Sequence, residues 1–368
     1  MSKLHILLIP AYYPAPETPL AGPFMRDLAH AISRTNDVTV LAPWSPGSGS
    51  EELDGPVRVK RLPRPRRRGR VDTIQRLWAL HRVLLGLRRE GRRVDILHAH
   101  CFATGPVAVL VGWLHHLPVV ITENASACLE GELLGYEASL ARFAYRRASV
   151  VCPDSPLAAN CLRELQPKAR FAVVPEVVDI DTFAVPRSRE PTRRSSRIVA
   201  VSNLEERKGL DYLIEAVRLL IAEGRYVELS IVGEGPQRPR LEAQAGGMPV
   251  RLLGGRAKAE ISNLLSGADV FAMPTLADPF GIAPVEALAA GVPVVVTSAA
   301  GCAELIEPLG AKVIPPRDVE SLRAALAEFL DNPATVSPDV PDVLRSYCGS
   351  AAVGRQFDAI YRSVARLA

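Results

Sequence analysis

Short runs of β-branched and aliphatic residues, each followed by a longer stretch with helical spacing, recur through the whole chain, and no other feature restricts its fold so strongly. The runs fall at residues 5–10, 38–42, 57–62, 95–98, 118–122, 149–152 and 171–174, and after a Pro- and Arg-rich stretch at 185–197 they resume at 198–201, 227–232, 250–253, 270–273, 292–296 and 312–314. Strand, helix, strand in that order predicts βαβ units around a parallel sheet. The interruption predicts two successive sheets, since 368 residues exceed what one ordinary core accommodates. The expected fold class is α/β, with two Rossmann-like doubly wound domains at residues 1–182 and 183–349. An amphipathic tail at 350–368 is expected to pack back on the first.

Composition narrows the function classes. Hydrophobic residues make up 48% and charged residues 23%, which suits a folded chain and not a disordered one. No apolar run approaches the roughly 20 residues needed to span a bilayer. Met1-Ser2-Lys3-Leu4 lacks a signal-peptide layout, so a cytoplasmic location is expected. The six cysteines form no C-x-x-C pair, and in that compartment they are expected to be reduced thiols without a metal. The net charge of +4 reflects six arginines at 61–70 and five at 187–197. Such runs form solvated loops or meet an acidic ligand or an anionic membrane surface. No nucleic-acid partner is expected, and the oligomeric state is left open.

Ligands of open parallel sheets bind outside the carboxyl ends of the strands, and the loops there in the second half are rich in polar residues. The first is Ser202-Asn203-Leu204-Glu205-Glu206-Arg207-Lys208-Gly209, opening a helix whose free N–H groups and Lys208 suit a diphosphate. The second begins at Gly233 and lacks the third glycine of a dinucleotide fingerprint. The third, Asp278-Pro279-Phe280-Gly281-Ile282-Ala283-Pro284-Val285-Glu286, sets one acid before a glycine-led helix start and a second inside it.

Taken in this order, the motifs resemble those of the family 4 retaining glycosyltransferases of GT-B fold, from His5-Ile6-Leu7-Leu8-Ile9 to the last helix. The resemblance implies two domains facing across a cleft and a nucleoside-diphosphate sugar, of UDP or GDP, as donor, with no cofactor and no metal. The family's Glu-x7-Glu reads here as Asp278-x7-Glu286. By similarity Glu286 meets the donor ribose, while Asp278 to Ile282, Gly281 included, meets the transferred sugar and diphosphate. Lys208 matches a family lysine, but Asn203 stands where an arginine is usual and cannot neutralise charge, a loss Arg207 could offset. Glu304 matches a further family acid. Ser202 and Gly233 line the same donor loops.

In the first half Gly22 resembles the glycine that approaches the donor phosphate. His98 and His100 match a family H-x-H pattern and, with Glu123, are acceptor-side candidates. Asn124 replaces a usual histidine near the reacting sugar. Asp278, Lys208 and Asn124 are the expected catalytic residues. The substitution at Asn124 points to an unusual small-molecule acceptor of specialised metabolism, with a thiol among the candidates. Asp179-Ile180-Asp181 looks like a metal-binding D-x-D but fits a structural family segment ending at Phe183. A nucleotide-sugar epimerase of the same fold and a non-catalytic sugar-nucleotide binding protein are the rival readings.

Overall fold

A computed structural model describes residues 2–15, 17–18, 22–43, 51–62, 70–187, 195–333 and 335–366. Most of the two arginine runs, at 63–69 and 188–194, lies outside the described residues. The chain divides into two compact units, Met1–Val177 with Tyr347–Ala368, and Val178–Ser346.

The first unit is built on a seven-stranded sheet: β1 (His5–Ile9), β2 (Asp37–Ala42), β3 (Glu51–Asp54), β4 (Val57–Arg61), β5 (Ile96–His100), β6 (Val119–Glu123) and β7 (Val150–Pro153). Their order is β3-β4-β2-β1-β5-β6-β7, so the winding reverses between β1 and β5. All neighbours are parallel except the hairpin of β3 with β4. That hairpin is absent from the expected elements because Glu51-Glu52-Leu53-Asp54 has no apolar alternation. Its signal is the Gly55-Pro56 turn, where Gly55 takes φ 57°. The run at 171–174 forms only a bridge from Phe171 to Val151 beyond the sheet edge. Pro175, without an N–H, stops the pairing.

The second unit holds a six-stranded parallel sheet: β8 (Ser196–Val201), β9 (Val227–Val232), β10 (Val250–Leu252), β11 (Val270–Met273), β12 (Val294–Thr297) and β13 (Lys312–Ile314). The order β10-β9-β8-β11-β12-β13 reverses between β8 and β11. This unit opens with Ile180 and Phe183 buried in it. Asp179 caps the short helix Ile180–Phe183 through Thr182, and Asp181 pairs with Arg345 at 2.9 Å.

Buried parallel strands need apolar cover on both faces. On one face of the first sheet, helices Arg70–Arg89, Cys101–His115 and Gly135–Arg147 pack with Leu7, Leu97, Val119, Ile121 and Val151. On the other lie helices Pro23–Ser33 and Ser350–Ala365, packed with Ile6, Leu8, Val38, Val40 and Val120. The C-terminal helix is therefore part of the first unit's core. Its Phe357 and Tyr361 are fully buried, and Tyr361 shares a 2.6 Å hydrogen bond with Nδ1 of His98.

The expectation of six free thiols is corrected here. Cys128 and Cys161 form a disulfide with Cα atoms 6.3 Å apart, while Cys101, Cys152, Cys302 and Cys348 are buried thiols outside any disulfide. A separation of 33 residues carries no pairing signal in sequence. The neighbouring strands β6 and β7 bring together the turn Ser126–Cys128 and the helix Pro156–Leu165.

Helices Pro23–Ser33 and Ser350–Ala365 touch backbone to backbone at Gly354, where a Cβ would stand 2.3 Å from the carbonyl oxygen of Ala31. Gly354→Ala should destabilise the protein by about 1–3 kcal/mol through overpacking. Thermal unfolding should show a lowered Tm, against an unchanged or raised Tm for Gly86→Ala, a helical position where a Cβ meets nothing within 4 Å.

Candidate functional site

The loops after β8 and β11 flank the reversal in the second sheet, the position where open α/β sheets bind ligands. After β8, the turn Glu206–Lys208 leads into helix Leu210–Ala222 through Gly209 at φ 62°. Only glycine serves there, because a Cβ would lie 2.2 Å from the Pro274 carbonyl of the neighbouring loop. The two loops are further tied by Leu276 N donating to Arg207 O (2.7 Å) and Thr275 Oγ1 donating to the same oxygen (3.0 Å). The loop after β11 is in turn laced to that after β12. Asp278 N donates to Ala299 O, Gly301 N to Asp278 O and Cys302 N to Phe280 O.

This lacing brings Lys208 and Asp278 together: Nζ donates to Oδ2 at 2.5 Å, with both side chains largely buried. An ammonium has three donors, so two remain for a ligand. Beside the pair, Gly281 at φ 95° starts helix Ile282–Ala289 and leaves its first N–H groups, that of Ile282 included, at the loop. Ser202 Oγ, following β8, is buried and has no hydrogen-bond partner among the described residues. Gly233 at φ 140° lies against it, since a Cβ there would be 1.9 Å from Ser202 O. Glu286 is buried within helix Ile282–Ala289. Arg207 is turned to Glu205 (2.7 Å) and the Ala277 carbonyl (3.3 Å). Asn203 and Glu304 are exposed, Glu304 on the short helix Ala303–Ile306.

In the first unit the corresponding reversal lies between β1 and β5. Gly22, at φ 72°, begins helix Pro23–Ser33 after β1, and His100 ends β5. The two sequence-matched histidines part company. His98 is fully buried under the C-terminal helix, with Nε2 bonded to Thr122 Oγ1 at 2.8 Å and its ring 5.1 Å from Phe357. His100 is also buried, yet neither ring nitrogen has a partner among the described residues. Burial pushes both imidazoles down to about 3, so both are neutral at pH 7. A neutral ring offers one donor and one acceptor, and in His100 no described residue engages either.

Glu123, at the end of β6, accepts hydrogen bonds from Ala125 N (3.0 Å) and Tyr145 Oη (2.5 Å) and from the Phe102 N–H. Its carboxylate thus sits over the start of helix Cys101–His115. Asn124 Nδ2 donates to Glu176 Oε1 at 2.5 Å. Tyr145, Glu176 and Tyr361, the partners of Glu123, Asn124 and His98, carry no signal in sequence, being 22, 52 and 263 residues distant. Among the described residues no group of three or more His, Cys, Asp and Glu is gathered to hold a metal.

Burial raises the Glu123 carboxyl to about 7, against the lowering effect of its hydrogen bonds. A carboxyl with a raised folded pKa stabilises the fold fully only below its ordinary value of 4.5, and that contribution is lost as pH rises through about 7. Its full range corresponds to about 3 kcal/mol. The difference in unfolding free energy between Glu123→Gln and the parent should therefore move in favour of the variant between pH 4.5 and about 7. A pH-independent difference in urea midpoints would refute the assignment.

The sequence matches two family descriptions, Glycosyl transferase 4-like domain over residues 21–176 and Glycosyl transferases group 1 over residues 195–332. It is 30% identical over 254 residues to the putative colanic acid biosynthesis glycosyltransferase WcaL of Escherichia coli, covering 64% of this chain and 62% of that protein. The chain thus spans about three fifths of that relative's length. The 2-deoxystreptamine glucosyltransferase of Streptomyces kanamyceticus is 29% identical over 351 residues, 84% of this chain and 88% of its own length. Among solved structures, Anabaena HepE in complex with UDP-glucose superposes with a TM-score of 0.74 at 19% identity, covering 98% of this chain and all of that one. The fold is GT-B.

Proposed function

The chain belongs to the group 1 glycosyl transferases of GT-B fold, and on that footing we propose that it moves a sugar, with retention, from a nucleoside-diphosphate sugar to a small-molecule acceptor of specialised metabolism. The observation that carries this reading is the buried Lys208 ammonium, held at 2.5 Å from Asp278 beside the glycine-led start of helix Ile282–Ala289 and the unpartnered Ser202 Oγ. The UDP-glucose bound by Anabaena HepE and the 2-deoxystreptamine in the name of the Streptomyces relative support the donor and acceptor classes.

In this mechanism the bond from the sugar's anomeric carbon to the diphosphate breaks with its electron pair going to the diphosphate oxygen. Lys208 and the N–H groups at the start of helix Ile282–Ala289 stabilise the negative charge that develops there. Asp278 keeps Lys208 oriented while sparing two of its three donors. The acceptor oxygen or sulfur attacks from the side of the leaving group, and its proton passes to the departing diphosphate oxygen. Asn124 cannot accept that proton near neutral pH, so its role is to hold the sugar. A thiol acceptor, with an ordinary pKa of about 8.5, needs less help from a base than a sugar hydroxyl does. Glu286 provides an acceptor for the ribose hydroxyls. The neutral His100 ring, whose nitrogens no described residue engages, is the acceptor-side group that best suits a hydroxyl.

Free nucleoside diphosphate should accumulate from UDP- or GDP-sugars only when an acceptor is supplied. Interconversion of the donor sugar without diphosphate release would identify an epimerase instead, and binding without turnover a carrier protein. Lys208→Ala should weaken nucleoside diphosphate binding about tenfold to 150-fold, from the loss of a charge-assisted hydrogen bond, and leave nucleoside binding unchanged. Equal losses for both ligands by calorimetry would remove Lys208 from the diphosphate. Asn124→His should raise turnover on sugar hydroxyls relative to thiols, and an unchanged ratio would exclude Asn124 from the reacting centre.

A further inference from the structure

Every crossover helix of a parallel sheet runs antiparallel to its strands, so it ends at the edge where the strands begin, opposite the loops described above. In the first unit, helices Arg70–Arg89, Cys101–His115 and Gly135–Arg147 all end there. Helix Cys101–His115 contains no Asp, Glu, Lys or Arg at all. A helix that is apolar all round belongs in an interior. Yet its last turns present Leu110, Trp113 and Leu114 to solvent, at i, i+3 and i+4, with Trp113 77% and Leu114 57% exposed.

The patch continues onto the neighbouring helix. His81 Nδ1 lies 2.9 Å from His115 Nε2, and Trp78, itself 63% exposed, stands edge-on to His81 with ring centroids 6.0 Å apart. Both described tryptophans of the chain are therefore on this face.

Its surroundings are basic. Helices Arg70–Arg89 and Gly135–Arg147 both end on a pair of arginines, whereas the whole chain is only +4. Exposed Arg88, Arg89, Arg146 and Arg147 sit at the helix ends, and none of the four is ion-paired among the described residues. Burial, then His81 and then the nearby Arg88 lower the affinity of His115 for a proton. The nearby acid Glu90 is engaged by Lys60 at 3.0 Å. Arginine at a helix end complements the macrodipole, but that does not account for exposed tryptophan and leucine beside it. Amphipathic aromatic rings flanked by cations that no acid neutralises are the chemistry of the interface of a negatively charged bilayer.

We propose that this face of the first unit, Trp78, Leu110, Trp113 and Leu114 rimmed by Arg88, Arg89, Arg146 and Arg147, docks the protein on an anionic lipid surface. The contact is peripheral, since no described helix is long and apolar enough to cross a membrane. The strand ends that carry the candidate site of this unit point away from it.

The test is sedimentation of the full chain with vesicles of phosphatidylcholine alone and of phosphatidylcholine mixed with phosphatidylglycerol. Binding is expected only to the mixed vesicles, falling as salt is raised. Trp113→Ser with Leu114→Ser should weaken it about tenfold or more, and Arg88→Ala with Arg89→Ala roughly thirtyfold. Both variants alter exposed side chains, so their Tm should match the parent. No binding to the mixed vesicles, binding equal on both vesicle types, or parent-like binding by both variants would overturn the proposal. So would a concentration-dependent dimer abolished by the Trp113 and Leu114 changes, which would make this face a contact between copies.

Discussion

An ammonium and a carboxylate 2.5 Å apart, both mostly withdrawn from water, are the arrangement on which the second unit's candidate site depends. Burying such a pair costs desolvation that its own attraction offsets only when the geometry is tight. The loops around Lys208 and Asp278 must therefore be held by other bonds. Thr297 Oγ1 donates to Thr275 O, Leu276 N and Thr275 Oγ1 both donate to Arg207 O, and Asp278 is bracketed on both sides by the 299–301 backbone. Gly209 and Gly233 let these segments approach to distances that a Cβ would forbid. A rigid frame of this kind holds two ammonium N–H groups and a helix start ready for an anion without reorganisation, which is where electrostatic stabilisation is most effective.

The first unit is organised around a different kind of polar group. His98 is neutral and fully bonded beneath the C-terminal helix, whereas His100, two residues on, is also buried but neither of its ring nitrogens is hydrogen-bonded to a described residue. Alternation along a strand places the two on the same face of the sheet, but only His98 is covered by Tyr361 and Phe357. One histidine thus belongs to the core and the other to the group of residues at the end of β5. Glu123 illustrates a third outcome. Its carboxylate is satisfied inside the protein by Tyr145 and two backbone N–H groups, so it anchors the turn before Asn124.

Much of this could be read along the chain. Repeating apolar runs located twelve of the thirteen strands among the described residues, because a parallel strand buried on both faces must be apolar throughout. The loops from Ser202 and Asp278 stood out because glycine, proline and charge cluster at strand ends. The strand Glu51–Asp54 was not legible, since this short edge strand has no buried residue to mark it. The disulfide was not legible either, because Cys128 and Cys161 become neighbours only through the pairing of β6 with β7.

The sequence alone therefore determined the two doubly wound sheets and the loops that hold the chemistry. Periodicity and turn residues are local properties, written within a few positions of where they act. Tertiary structure decided which polar groups are occupied. Lys208 meets Asp278 across 70 residues, Asn124 meets Glu176 across 52 and His98 meets Tyr361 across 263. Among the described residues it also left Ser202 Oγ and the His100 ring nitrogens without hydrogen-bond partners. Whether a buried polar atom is satisfied depends on what distant segments bring to within about 3 Å of it, and no local pattern encodes that.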